Sequence, residues 1–121
     1  MPKSILIVED EEATREAYVA LFAEEGLNIT ATDNYQDAVR CTESQHDKYL
    51  VDGNFPHMSG GLDSPNGIRF YQHVISKYPK ADFILFTSDQ SMIEEARKQG
   101  IRICDKTDTD APEKILQWIN E

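Results

Sequence analysis

No apolar run in this 121-residue chain approaches the roughly 20 residues that a membrane-spanning helix requires. The opening Met1-Pro2-Lys3-Ser4 leads straight into a short apolar segment and lacks the longer one of a signal peptide. The expected location is therefore the cytoplasm. Cysteine is scarce: Cys41 and Cys104 lie far apart and form no C-x-x-C pair, which favours two buried thiols in a reducing compartment over a disulfide. Positive charge is outnumbered, with 12 Lys and Arg against 22 Asp and Glu and a net charge of −10. Phosphates would be repelled by such a surface, so neither nucleic acid nor an anionic membrane is an expected partner. Cations and basic or apolar protein surfaces stay compatible. There is no internal repeat, low-complexity tract or interdomain linker, and the expectation is one domain over residues 1–121.

What the chain does have is a rhythm. Short apolar runs alternate five times with longer segments of helical period: Ile5–Val8, Leu27–Ala31, Tyr49–Val51, Phe83–Phe86 and Ile101–Cys104. The first is continuously apolar and the fourth nearly so, as befits strands covered on both faces. The second alternates, which suits an edge strand. Between the runs, Ala13, Ala17, Tyr18, Leu21 and Phe22 form an amphipathic stripe closed by Gly26. A second helix is predicted over Asn34–Ser44 behind an Asn34 N-cap. A third carries Ile68, Tyr71, Val74, Ile75 and Tyr78 and stops at Pro79. Ser91–Gln99 is a short fourth, ended by Gly100, and Pro112 opens a fifth through Ile119. The pattern predicts an α/β fold: a doubly wound (βα)5 three-layer sandwich around a parallel five-stranded sheet. One stretch breaks the rhythm, "PHMSGGLDSPN" over residues 56–66, which reads as an unusually long loop.

In an open α/β sheet, ligands gather outside the carboxyl ends of the strands, where strand order reverses. Strand one ends in Glu9-Asp10, strand three in Asp52, strand four in Thr87-Ser88 and strand five in Asp105-Lys106. With the order 2-1-3-4-5, strands one and three are neighbours and their acids converge. Clustered carboxylates repel, so they require a cation or raised pKa values. Mg2+ suits them, because it takes one or two carboxylates and completes its shell with water and phosphate. A hydroxyl (Thr87) and an ammonium (Lys106) beside them can bind phosphoryl oxygens. Together these are the parts for in-line phosphoryl transfer to an aspartate.

The segments "ILIVEDEEATRE", "YLVDGNFP", "ILFTSD" and "CDK", in that order and spacing, resemble the receiver domain of two-component response regulators, over essentially the whole chain. The resemblance implies a flavodoxin-like fold with Asp52 as phosphoacceptor, supplied by a histidine kinase or histidine phosphotransfer protein. It implies Asp10 as a direct Mg2+ ligand, Glu9 acting through water, and Asn54 lending its backbone carbonyl. Thr87 would close on the phosphoryl group and Lys106 would pair with it. Only Thr107–Glu121 follows that lysine, enough for one helix, so no output domain is expected. Output would pass through contacts with a downstream protein, and a phosphorylation-dependent dimer is one form such contacts can take.

The chain departs from that pattern in three places. Thr107 stands where the family has proline after the lysine; a cis bond without proline costs ~3–4 kcal/mol, so a trans loop that places Lys106 differently is expected. Ile103 replaces the usual Tyr or Phe of the activation relay. The loop after Pro56 carries an insert of about seven residues by the short-loop norm, which could shield the site, gate it or bind a partner. Other readings are a pseudo-receiver that binds partners unphosphorylated, and a Mg2+-dependent phosphohydrolase with an Asp nucleophile. The latter needs an acid two residues after its nucleophile, where Asn54 stands. Outside the motifs, Thr87 and Ser88 are candidate caps for helix four, and Trp118 is expected to pack. His46, His57 and His73 share no metal-ligand spacing and are expected to face solvent or pack; His57 alone lies near Asp52 in sequence.

Overall fold

The computed structural model describes residues 3–121, so the reading of Met1-Pro2 lies outside the described residues. The chain runs β1 (Ser4–Val8), α1 (Glu12–Glu24), β2 (Asn28–Thr32), α2 (Tyr35–Cys41), β3 (Lys48–Asp52), β4 (Phe55–Pro56), β5 (Asp63–Ser64), α3 (Asn66–Lys77), β6 (Asp82–Thr87), α4 (Gln90–Lys98), β7 (Ile103–Asp105) and α5 (Ala111–Ile119). The large sheet is parallel, in the order β2-β1-β3-β6-β7. That is the 2-1-3-4-5 arrangement expected from the repeat of strand and helix.

Side chains alternate across the sheet with the period of two that strands impose. Leu6, Val8, Tyr49, Val51, Phe83 and Leu85 pack under α2, α3 and α4. Ile5, Ile7, Leu50, Ile84 and Phe86 face α1 and α5, against Tyr18, Phe22, Ile115 and Trp118. Every residue of β3 is buried, and β2 is mostly exposed, as an edge strand should be. Trp118 is fully buried and donates from its indole nitrogen to Asp82 at 2.7 Å.

Two strands begin later than their apolar runs. Gly26 and Gly100 sit at φ +77° and +73° just past α1 and α4. The next amides, Leu27 and Ile101, turn back to Phe22 O and Ala96 O, while the glycine amides reach Ala23 O and Arg97 O. Each is a Schellman closure, in which the apolar residue after the glycine belongs to the helix end and not to the strand. Asn34 caps α2 as expected, accepting from Asp37 N–H, but α2 ends at Cys41 and not Ser44. The cap of α4 is Asp89, which accepts from the amides of Ser91 and Met92; neither Thr87 nor Ser88 caps it. Cys104 is buried but Cys41 only partly so.

The largest correction is the stretch 56–66. It is a hairpin: β4 and β5 pair antiparallel, Phe55 with Ser64 and Pro56 with Asp63, around a turn in which Gly60 adopts φ +81°. Behind the hairpin, α3 docks its first turn directly on the end of β3. A methyl group at Gly67 would lie 2.5 Å from Asp52 O and 2.8 Å from Gly53 Cα. Backbone cannot yield as a flexible side chain can. Gly67→Ala is therefore expected to destabilise the fold by roughly 2 kcal/mol, read as a lowered urea midpoint at unchanged slope.

Candidate functional site

The site lies at the carboxyl end of the sheet, where β1 and β3 are neighbours. β1 releases Glu9, whose amide still bonds Thr32 O, and then Asp10. β3 delivers Asp52. The carboxylates of Glu9, Asp10 and Asp52 all lie within 4.8 Å of one another. Glu9 is 3 % exposed and Asp52 8 %, so water screens neither well. From β7 comes Lys106, whose Nζ stands 2.6 Å from Glu9 Oε1 and 3.2 Å from Asp52 Oδ1, above the Phe86 ring. Its backbone N–H donates to Thr87 O at 3.1 Å, which ties the loop after β7 to the end of β6.

The 106–107 bond is trans, as expected without proline, and all described peptide bonds are trans. Lys106 nevertheless reaches both acids. Thr107 sets this loop by another route: its N–H and hydroxyl both donate to Asp105 Oδ1, at 2.9 and 2.7 Å, closing an Asx turn.

Thr87 is 2 % exposed and sits against the backbone that follows Asp52. A methyl at Gly53 would meet Thr87 Oγ1 at 2.6 Å and Met92 Sδ at 2.5 Å, so only glycine leaves the hydroxyl room there. Thr87 Oγ1 accepts from Asp89 N–H. Asn54 N–H leans on Asp52 Oδ1 at 3.4 Å, and its side-chain amide donates to Asp89 Oδ2 at 3.4 Å. Arg15, from α1, grips the carbonyls of Glu9 and Asp10 and leaves the carboxylates free. His57 does not join the site; its ring stacks on Tyr35.

Sequence reasoning missed one acid. Asp63, on β5, comes near enough to Asp10 for the two carboxyls to shift each other's titration. The available signal was Gly60-Gly61, a turn that folds the stretch back on itself and so returns its far end to the site.

Burial, and then the hydrogen bond and charge of Glu9, push Asp52 up to about 9, against the opposing pull of Lys106. Asp63 is pushed up to about 6, first by its hydrogen bond to Asp10 and then by burial. Burial works to raise Asp10 as well, but hydrogen bonds with Asp63, Asp52 and Glu9 outweigh it and leave Asp10 below the usual carboxylate range. Burial opposes the charge on Lys106; Asp52 and Glu9 overcome it and hold the lysine above its ordinary value. The donors are all hard oxygens, and one lysine in contact does not neutralise them. Such a set fits Mg2+, which favours carboxylate and phosphate oxygen.

An acid cluster, a hydroxyl and a lysine at the switch point of an α/β sheet are groups suited to a cation and a phosphoryl group. The profile of the response regulator receiver domain matches residues 5–104, and the chain belongs to that family. Among solved structures it is similar to a CheY-like receiver domain protein from Methanospirillum hungatei, at 18% identity and TM-score 0.81, covering 99% of this chain and 92% of that one. It is also similar to a response regulator from Thermotoga maritima solved with Mg2+ and BeF, at 22% identity and TM-score 0.75, covering 96% and 98%. A third is the receiver domain of a sensor histidine kinase from Pseudomonas aeruginosa, with magnesium coordinated in its active-site cleft, at 21% identity, TM-score 0.75 and full coverage of both chains. No curated protein sequence matches significantly. Among the described residues no helix is long and apolar enough to cross a membrane.

The electrostatics have a measurable consequence. Asp52 holds its proton more tightly folded than unfolded, where it titrates near 3.8. Its stabilising contribution is complete below that value and is lost as pH rises toward about 9. In EDTA, Asp52→Asn should gain on the wild type as pH rises from acid to weakly alkaline. The gain should reach at least about 1.4 kcal/mol, the worth of one pKa unit, read from urea midpoints at the two ends of that range.

Proposed function

We propose that the chain is a phosphoreceiver: it accepts a phosphoryl group on Asp52 from a histidine kinase or histidine phosphotransfer protein in the cytoplasm. It then signals through contacts with another protein. The observation that carries this reading is the placement of a nearly buried Asp52 between the acid pair Glu9-Asp10 and the lysine Lys106, with Thr87 tucked behind Gly53.

Glu9, Asp10, Asp52 and the Asn54 carbonyl are the groups that would hold Mg2+. When bound, the ion supplies positive charge that keeps Asp52 ionised and offsets the charge on the phosphoryl oxygens. An Asp52 carboxylate oxygen attacks the phosphorus in line. The bond from phosphorus to the donor imidazole breaks, and its electron pair stays on that nitrogen. Lys106, already within reach of Asp52, transfers its donors to a phosphoryl oxygen. The Thr87 hydroxyl, released from Asp89 N–H, donates to another. Asn54 and Asp89, hydrogen-bonded to each other at 3.4 Å, flank the route of a hydrolytic water and are the positions that tune the lifetime of the acyl phosphate.

The Asn54–Asp89 contact also weighs against a phosphohydrolase: the residue two past the nucleophile is an amide already engaged, not a free acid. Against a pseudo-receiver stand the Lys106 contacts, preserved in spite of Thr107.

Incubation with Mg2+ and acetyl phosphate should add one phosphoryl group to the intact mass. EDTA or Asp52→Asn should abolish the addition. A null result, with no beryllofluoride complex formed either, would leave the pseudo-receiver standing. Lys106→Met should slow phosphorylation by about 10²-fold, the cost of removing one donor to the developing charge.

A further inference from the structure

Among the described residues, the exposed large apolar side chains are Met58 and Leu62, at 53 % and 91 %. Both sit in the turn of the β4–β5 hairpin, the stretch that interrupts the family pattern. A single exposed apolar residue needs no explanation, but two in one turn that is held in place do. Gly61 N–H donates to Met58 O at 3.0 Å, with Gly60 at φ +81°. His57 O accepts from Gln36 N–H at 2.9 Å, the His57 ring stacks on Tyr35, and Ser59 Oγ donates to Asp33 Oδ2 at 3.0 Å. At the base, the buried side chain of Asn66 donates to Phe55 O at 2.9 Å. Side chains presented on a fixed turn lose little freedom when covered, which favours binding.

Charge says what kind of surface covers them. No Lys or Arg lies between Lys48 and Arg69, and the Arg69 guanidinium rests over the Tyr35 ring, 4.3 Å from its centroid. Asp33 and Asp63 flank the tip, on a chain of net charge −10. A second copy would bring the same acids against these, so self-association through the tip is opposed. A partner with an apolar pocket and a Lys or Arg rim is favoured. Position says which partner. β4 starts just past Asp52, and the chain returns at Gly67, whose N–H donates to Gly53 O at 2.9 Å. Helices cover both faces of the sheet, so a protein that brings a phosphohistidine to Asp52 has to approach over this carboxyl edge, beside the tip. We propose that Met58 and Leu62 are a docking element for the phosphohistidine-bearing donor, seated in an apolar pocket with a basic rim. This rests on the phosphoreceiver reading. The insert then serves partner choice: the chemistry stays with Asp52 and its neighbours, while affinity for the donor is set at the tip.

The test compares a small donor with protein donors, on the wild type and on the double variant Met58→Ser/Leu62→Ser. Acetyl phosphate with Mg2+ needs no docking and should phosphorylate both at the same rate. The protein donors are the purified histidine kinases and histidine phosphotransfer proteins of the same genome, labelled with radioactive ATP. The donor fastest on the wild type should show a KM about tenfold higher on the double variant, the low-end worth of burying one leucine, with kcat unchanged. Added salt should raise the wild-type KM as well. An unchanged KM, a KM indifferent to salt, or transfer from none of these proteins would overturn the proposal. So would a slower acetyl phosphate reaction in the variant, which would put the two residues in the site's own chemistry. Wild-type dimers in sedimentation that the double variant loses would assign the tip to a second copy instead. The reading beneath fails separately, if the wild type takes no phosphoryl group from acetyl phosphate and forms no beryllofluoride complex.

Discussion

Two nearly buried carboxylates share one ammonium, and the rest of the molecule is arranged around that imbalance. Glu9 and Asp52 both lean on Lys106, with Asp10 and Asp63 adding negative charge at the rim. Removing ions from water costs several kcal/mol each, and one lysine cannot offset that for every acid present. Burial and the neighbouring Glu9 push Asp52 up to about 9, against the pull of Lys106. Under the proposed phosphoreceiver role, a cation and then a phosphoryl group whose oxygens engage Lys106 would alter the same balance in sequence. The site is unfavourable when metal-free and fully ionised, and that is the state the proposed role would start from.

That tension is tolerable because the backbone beneath it is stiff. Asp52 ends a strand buried along its whole length, paired with β1 on one side and β6 on the other. Two glycines then allow close approach: Gly53 lets Thr87 in, and Gly67 lets the first turn of α3 rest on the Asp52 carbonyl. Where the family relies on proline after the lysine, this chain uses an Asx turn from Asp105 to Thr107. The local chemistry changed while the lysine kept its partners. Ile103 is a different matter. It is half-buried against the α2–α4 side of the core and offers no ring to swing. Lys106 above Phe86, with Tyr18 of α1 edge-on to that ring at 5.3 Å, joins the site to the opposite layer.

The alternation of apolar runs and amphipathic stripes, the helix-ending glycines and the acids at the strand ends were legible in the amino-acid sequence. Each is encoded within a few residues: a strand by its period of two, a helix by its stripe, a helix end by a glycine that tolerates positive φ. Errors arose where one residue served two elements. Leu27 and Ile101 look like strand openers and are helix closers, because the Schellman turn takes the next apolar residue for itself. Asp89, not Thr87 or Ser88, caps α4, since Thr87 is drawn inward against Gly53.

The order of residues along the chain was enough for the layer architecture, the strand order consistent with it, and the side chains that stand at the carboxyl edge of the sheet. The distances came only with the folded molecule. Packing set Lys106 nearer Glu9 than Asp52, brought Asn54 onto Asp89, and turned an apparent loop into a hairpin that carries Asp63 to Asp10. The reason is range. Periodicity and capping are properties of neighbours along the chain, whereas a contact between groups tens of residues apart exists only once the sheet register and helix packing have placed both.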